Sequence, residues 1–151
     1  QSIDPIVTLF YSIPVGIFIA LVLFINCFQD YNADKAANKN SWVVKLAGPG
    51  EKANYRKPFS VWKSLMVVSF LLIVAASVYA QNYFTFIALI PLLIFNFASK
   101  KGSDWLVEWE KDDANLQQLP YELLIVNVST IGIHFLTGVL LTIGVLLSVW
   151  I

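Results

Sequence analysis

The stretch IVTLFYSIPVGIFIALVLFINCF, residues 6–28, decides the fold because it has no charged residue and is long enough to cross a bilayer. About 20 apolar residues span the hydrocarbon core as an α-helix. Three further apolar stretches follow, at residues 64–80, 83–98 and 123–151. Only Gln81 and Asn82 separate the two middle stretches, which indicates a hairpin. The pattern predicts an all-α, polytopic transmembrane bundle of four spans that forms a single domain over residues 1–151.

The composition excludes several classes of protein. Of the 151 residues, 58% are hydrophobic and 13% are charged, whereas a soluble domain has about 25% charged residues. The same numbers exclude a disordered chain. Ten Lys and Arg balance ten Asp and Glu, so there is no basic excess to suggest a nucleic-acid partner. Cys27 is the only cysteine, which excludes a disulfide framework and a site with several thiolate ligands.

All lysines and the arginine lie in two polar stretches, residues 29–63 and 99–122. Four spans place both stretches on one side of the membrane. The other side carries the N-terminus, the turn at Gln81 and Asn82, and the C-terminus, without a single Lys or Arg. Because cytoplasmic loops are enriched in these residues, we expect both polar stretches to be cytoplasmic.

Polar residues recur every fourth position where the first span ends: Asn26, Asp30, Asp34 and Asn38. On a helix this spacing makes a stripe on one face, with the two carboxylates one turn apart. Carboxylates so close repel each other unless a cation lies nearby, and Mg²⁺ is the natural candidate because it prefers oxygen ligands. Lys35 and Lys39 on the adjacent face could bind a polyanion. The alternative is a solvated helix face with acidic and basic residues.

The segment FINCFQDYNADKAANKNSWVVKL, residues 24–46, resembles the second aspartate-rich region of UbiA-type intramembrane prenyltransferases. The branch it resembles most is that of the 1,4-dihydroxy-2-naphthoate prenyltransferases of menaquinone synthesis, whose pattern is roughly N-N-x-R-D-x-x-x-D-x-x-x-G-K-x-T-L-A-V-x-x-G. The matching positions are Asn26, Asp30, Asp34, Lys39, Ser41 for Thr, and Val44. The chain departs from the pattern at Cys27, Gln29, Asn38 and Trp42, and Gly48 comes one residue late.

The resemblance implies an enzyme that transfers a prenyl group from a prenyl diphosphate to an aromatic acceptor, expected to be 1,4-dihydroxy-2-naphthoate, with Mg²⁺ as cofactor. It assigns Asp30 and Asp34 as catalytic metal ligands, Lys39 and Lys35 as diphosphate contacts, and Asn26 as a supporting polar group. The order of spans matches the second half of the family's bundle. The family's first aspartate motif has no counterpart here, so we expect the chain to be a fragment that needs a missing N-terminal half or another chain, and to be inactive alone.

The resemblance places the protein in a bacterial or archaeal inner membrane. The rival hypothesis is a non-catalytic small membrane subunit of a larger complex, in which Asp30 and Asp34 pair with a partner's lysines. Other residues receive structural predictions. We expect a packed, hydrogen-bonded His134, Trp62 and Trp150 in the aromatic belt, and Trp105 and Trp109 on an amphipathic helix at the membrane interface. Three glycines in the last span are predicted helix-packing positions: Gly132, Gly138 and Gly144.

Overall fold

The computed structural model describes residues 5–48, 52–111 and 119–150 and is all-α over that part of the chain. The described residues form seven α-helices and one 3₁₀ segment, which are α1 Pro5–Gln29, α2 Tyr31–Ala36, α3 Trp42–Ala47, α4 Arg56–Tyr79, the 3₁₀ segment Tyr83–Leu89, α5 Leu92–Glu110, α6 Leu119–Glu122 and α7 Leu124–Trp150. Four stretches are long and apolar enough to cross a membrane: Pro5–Gln29, Arg56–Tyr79, Tyr83–Glu110 and Leu124–Ser148. The predicted four-span helical fold is confirmed.

Helix α1 is the centre of the packing because it contacts both α4 and α7. Its buried side chains recur at helical spacing, with Phe18, Leu21, Ile25 and Phe28 all at most 1% exposed. Helix α7 also packs against the 3₁₀ segment and α5, which completes the bundle. The end of α1 is therefore held by two neighbouring helices.

Cross-helix contacts define the two ends of the bundle. At one end, Phe28 stacks on Tyr55, and Tyr55 contacts Trp105 and Trp109. This end joins the two lysine-bearing stretches and is called the lysine-rich end. At the opposite, hairpin end, the Asn82 amide donates to the Ser148 hydroxyl at 3.0 Å. Both lysine-bearing stretches thus lie at the same end, as the four-span topology requires.

The third span differs from the sequence expectation at both of its ends. It begins with the 3₁₀ segment, and α5 then continues to Glu110, so the residues after 98 start as helix. Helix α4 likewise begins at Arg56, before the predicted residue 64. A span predicted from hydropathy ends at the first charged residue. The helix itself continues past that residue, because its backbone hydrogen bonds do not depend on side-chain polarity.

Three tryptophans lie in the interior rather than at the membrane surface. Trp62 is fully buried and stacks on Phe59, so its assignment to the aromatic belt is wrong. Trp105 and Trp109 are 6% and 3% exposed and stack on each other one helical turn apart. Their predicted docking on the membrane interface is also wrong. Helix α5 continues to Glu110, and the face that carries the two tryptophans packs against the bundle.

The three glycines of α7 differ in their surroundings. A Cβ added at Gly144 would lie 2.7 Å from Thr85 Cα and 2.8 Å from the Phe84 carbonyl oxygen, so two backbones approach closely there. A Cβ at Gly132 or Gly138 would meet nothing within 4 Å. The packing role is therefore confirmed for Gly144 and wrong for the other two.

We predict that Gly144→Ala lowers the stability of the bundle by about 1–3 kcal/mol, the usual cost of overpacking. The matched control is Gly138→Ala, which adds the same methyl group to open space and should leave stability unchanged or slightly higher, because alanine favours helix. Thermal unfolding in detergent measures both. Equal effects of the two substitutions would contradict the close approach.

The lysine-rich end is predicted to face the cytoplasm, and cysteine labelling tests this. In a Cys27→Ser background, a membrane-impermeant maleimide added from outside should label Asn82→Cys but not Asn54→Cys. Asn54 is exposed, whereas its neighbour Ala53 is buried and unsuitable as a probe. Permeabilised membranes provide the control, in which both positions react. Labelling at position 54 alone in intact cells would reverse the topology.

Candidate functional site at the end of the first span

The predicted polar stripe forms at the junction of α1 and α2. The Asp30 amide contacts the Asn26 carbonyl at 3.4 Å, and the Asp34 amide donates to the Asp30 carbonyl at 2.8 Å. The chain therefore stays helical across the junction and places the two aspartates one turn apart, as their spacing predicts. Asn38 has a φ of 54°, which ends the helix. Its predicted place on the stripe is wrong.

Asp34 is a buried residue, 6% exposed, and its carboxylate is neutralised by a lysine of the same chain. Lys39 Nζ lies 2.9 Å from Asp34 Oδ1, and the Lys39 backbone amide donates to the Asp34 carbonyl at 2.8 Å. The hydrogen bond from Lys39 is the main reason that the pKa of Asp34 is lowered, and burial of the carboxylate opposes this shift. The same contact raises the pKa of Lys39.

The second oxygen of this carboxylate, Asp34 Oδ2, is buried and has no hydrogen-bond partner. Buried polar atoms are nearly always paired, because an unpaired acceptor loses its hydration without compensation. Asp30, by contrast, is exposed. Among the described residues, no three His, Cys, Asp or Glu side chains group together as a metal site. The chain thus offers two carboxylates in unlike surroundings.

Asn26 lies on the same face and pairs across the bundle. Its Oδ1 accepts a hydrogen bond from Asn127 Nδ2 at 2.8 Å, and Asn127 is 3% exposed. Sequence reasoning missed Asn127 as a site residue. The available signal was the spacing of polar residues on α7, at Asn127, Thr130, His134 and Thr137. The Nδ1 atom of His134 is buried without a partner, so the hydrogen bond expected for this ring is missing at that nitrogen.

A basic groove of about 370 Å³ is lined by residues of α2, of α3 and of the turn between them. Lys39, the ion-pair partner of Asp34, is one of its lining residues, whereas Asp34 itself is not. Its charged lining residues are Lys35, Lys39 and Lys45. The structure brings together the two lysines singled out from the sequence and adds Lys45 from the last turn of α3. Three lysines that line one groove favour the binding of an anion with several negative charges.

An apolar groove of about 410 Å³ runs along α1 and α4 on the other side of α3. Leu21, Phe24 and Cys27 line it from α1, Leu65 lines it from α4, and Trp42 of α3 also lines it. Helix α3 therefore contributes to both grooves, with Lys45 lining the cationic one and Trp42, which is 74% exposed, lining the apolar one. Adjacent grooves of this kind suit a ligand with an anionic head and a hydrocarbon chain.

Buried tyrosines fix the segment that carries the acids. Tyr31, between Asp30 and Asp34 in the chain, is 1% exposed and donates to the Gly48 carbonyl at 2.9 Å. Tyr55 donates to the Phe28 carbonyl at 3.1 Å, and its burial raises the pKa of its hydroxyl. The rings of the two tyrosines meet edge to face. These contacts hold α2 and α3 onto the end of the bundle.

Helix α5 adds to this support at the lysine-rich end. Trp109 Nε1 donates to the Ala53 carbonyl at 2.7 Å. Arg56 donates through two nitrogens to both carboxylate oxygens of Glu110, which joins the start of α4 to the end of α5. The fixed geometry of such a two-point contact orients the two helices even where water weakens its energy.

Comparisons with models of protein families, with curated proteins and with solved structures give no match to this chain. The resemblance to the prenyltransferases therefore rests on residues 24–46 and on the number and order of the spans.

The Asp34–Lys39 pair should contribute to stability over a defined range of pH. The lowered pKa of Asp34 means that its contribution is present above the ordinary carboxyl value of about 3.9 and is lost as pH falls through the lowered value. The raised pKa of Lys39 means that its contribution persists past about pH 10.4 before it is lost.

We predict that Asp34→Asn lowers the unfolding temperature by a constant amount between about pH 5 and 9, and that the difference shrinks below about pH 4. The control is Asp104→Asn, since Asp104 is exposed on α5. Its effect should be small throughout. A difference for Asp34→Asn that does not change down to pH 2 would show that the pairing does not stabilise the fold.

Proposed function

We propose that this chain is the part of a Mg²⁺-dependent intramembrane prenyltransferase that carries one of its two acidic motifs. Its substrates would be a prenyl diphosphate and an aromatic acceptor of quinone biosynthesis such as 1,4-dihydroxy-2-naphthoate. The observation that carries the proposal is the position of Asp34. This residue lies one helical turn from Asp30 at the end of a membrane helix, and one of its carboxylate oxygens is buried without a partner. Its other oxygen pairs with Lys39, which lines a groove together with Lys35 and Lys45.

The donor set suits Mg²⁺. This ion is usually held by one or two carboxylates, with water and substrate phosphates completing its coordination. Asp34 Oδ2 is an oxygen that needs a partner, and the exposed Asp30 is free to turn toward the same ligand. When bound, Mg²⁺ would stabilise the negative charge that develops on the departing diphosphate.

The chain's own residues would bind and orient the substrate. Lys39 and Lys35, which line the basic groove, would bind the diphosphate, and Lys45 of the same groove would add positive charge. The prenyl chain would follow the apolar groove under Trp42. Asn26, whose amide is held by Asn127, would supply a fixed polar group at the membrane boundary. Together these contacts would place the carbon–oxygen bond that breaks at the edge of the hydrocarbon layer.

The site is half of what the reaction needs. We propose that the first acidic motif comes from the rest of a longer protein or from a second chain, and that the lysine-rich end faces the cytoplasm of a bacterial or archaeal cell. Completion by another segment would bring further carboxylates opposite Asp30, whose exposure leaves room for them.

A non-catalytic membrane subunit is the second candidate, and one observation favours it. The Asp34 carboxylate is already neutralised by Lys39 of the same chain, so in such a subunit Asp34 would need no lysine from a partner, contrary to our expectation from the sequence. In a purely structural role, this ion pair would only fix the turn between α2 and α3. The two candidates differ in the consequence of removing the exposed acid, because Asp30 supports no buried contact that a structural role would need.

In the full-length protein that we propose, Asp30→Ala or Asp34→Ala should reduce prenyl transfer by at least about a hundredfold, the scale of losing one main source of charge stabilisation. Lys39→Ala should weaken diphosphate binding but retain measurable turnover. The isolated 151-residue chain should be inactive. Prenyl transfer to 1,4-dihydroxy-2-naphthoate in membranes, with and without Mg²⁺, measures these effects.

The matched control is Asp104→Ala, which removes an exposed aspartate from α5 without touching the junction. It should retain full activity, and expression of every variant in the membrane excludes failure to insert. Full activity of the Asp30→Ala, Asp34→Ala double variant would reject the enzyme and favour the subunit. Activity of the isolated chain would reject the need for a second acidic motif.

A further inference from the structure

The two oxygens of the Asp34 carboxylate have different surroundings. Oδ1 lies 2.9 Å from Lys39 Nζ, whereas Oδ2 is buried without a partner. The carboxylate as a whole is only 6% exposed, and burying a charge is costly unless it is paired. Lys39 therefore cannot leave this carboxylate unless another cation takes its place.

A short turn presents Lys39 to Asp34. The left-handed Asn38, with its amide donating to the Lys35 carbonyl at 3.1 Å, reverses the chain just before Lys39. Ser41 then caps α3 by accepting from the Val44 amide at 3.4 Å. The pair is thus made within one local loop, and its two members are five residues apart. Separating them requires a new side-chain rotamer for Lys39 and no rearrangement of the helices.

Lys39 also has an alternative partner. Its side chain is 64% exposed although its ammonium reaches a buried acid, and the same residue lines the basic groove with Lys35 and Lys45. An anion in the groove would attract Lys39 away from Asp34. A divalent cation at Oδ2 would compete with Lys39 for Asp34 from the other side.

We propose that Lys39 is a latch that exchanges partners, so that a divalent cation and a polyphosphate bind this site together rather than singly. This inference rests on the proposed function. A polyphosphate alone would draw Lys39 away and leave Asp34 as a bare buried charge next to an anion, which is strongly unfavourable. A divalent cation alone must displace the Lys39 ammonium from Asp34 without an anion in the groove to receive it. Both ligands together satisfy every charge, which is positive coupling between the two binding events.

Zero-length coupling by a water-soluble carbodiimide tests the latch directly. The reagent joins an amine to a carboxylate that it contacts, with loss of one water, and mass spectrometry of the peptide containing both residues detects the product. The probes are Mg²⁺ and inorganic pyrophosphate, added to the chain in lipid vesicles. Coupling of Asp34 to Lys39 should be efficient without them and fall about tenfold or more when both are present, which corresponds to about 1.4 kcal/mol.

The protein contains its own control for this experiment. Lys111 Nζ lies 2.6 Å from Glu108 Oε1 in an exposed ion pair, outside the basic groove. Its coupling should not change when Mg²⁺ and pyrophosphate are added. Asp34→Asn and Lys39→Arg should each abolish the first product and leave the second, which confirms the assignment of the coupled residues.

The outcomes separate the latch from the enzyme. The latch is supported if the two probes together reduce the Asp34–Lys39 product much more than either alone. It is rejected if the product fails to form, if it is insensitive to both probes, or if the Glu108–Lys111 product falls in parallel. Opening of the latch without prenyl transfer in the full-length protein would leave the latch standing and reject the enzyme. Mg²⁺-dependent prenyl transfer in the full-length protein, with Asp34–Lys39 coupling that the probes do not change, would reject the latch and leave the enzyme standing.

Discussion

The lack of water in the bilayer core is the constraint on which the rest of this structure depends. Every backbone donor and acceptor at that depth must be satisfied within the chain, and only continuous helices achieve this with single segments. Charged groups are then confined to the helix ends and loops, and here all of them except Asp4 fall in the two polar stretches, residues 29–63 and 99–122. Because α1 packs against both α4 and α7, the helix end that carries Asp30 and Asp34 is fixed by two neighbours.

Buried aromatic residues hold the helices and loops together at the lysine-rich end. Tyr31, Tyr55 and Trp109 are buried, and each donates a hydrogen bond to a backbone carbonyl. Such side chains combine a large apolar surface with a polar atom that can satisfy a loop backbone. The short helices α2 and α3 are too short to be stable alone, so these contacts give the acidic segment its shape.

The sequence predicted the spans and the spacing of Asp30 and Asp34 because both follow from local helix periodicity. It failed at Asn38, whose left-handed conformation no polar periodicity encodes. It also missed Asn127, because pairing with Asn26 joins helices that are distant in the chain. Trp105 and Trp109 were misplaced for a related reason, since the direction of a tryptophan face depends on where the neighbouring helices lie. Local patterns predict elements, and tertiary packing decides which of their faces are buried.

The polar contacts at and near the lysine-rich end are of two kinds, those between separate helices and those within a short loop. The Asn26–Asn127 and Arg56–Glu110 contacts join separate helices, so each constrains how two helices meet. The Asp34–Lys39 contact closes only a short loop, whose closure changes the chain entropy little. Its loss costs charge compensation but no packing between helices. A site that exchanges one cation for another needs this combination, a fixed carboxylate and a neutralising group that can leave without disturbing the scaffold.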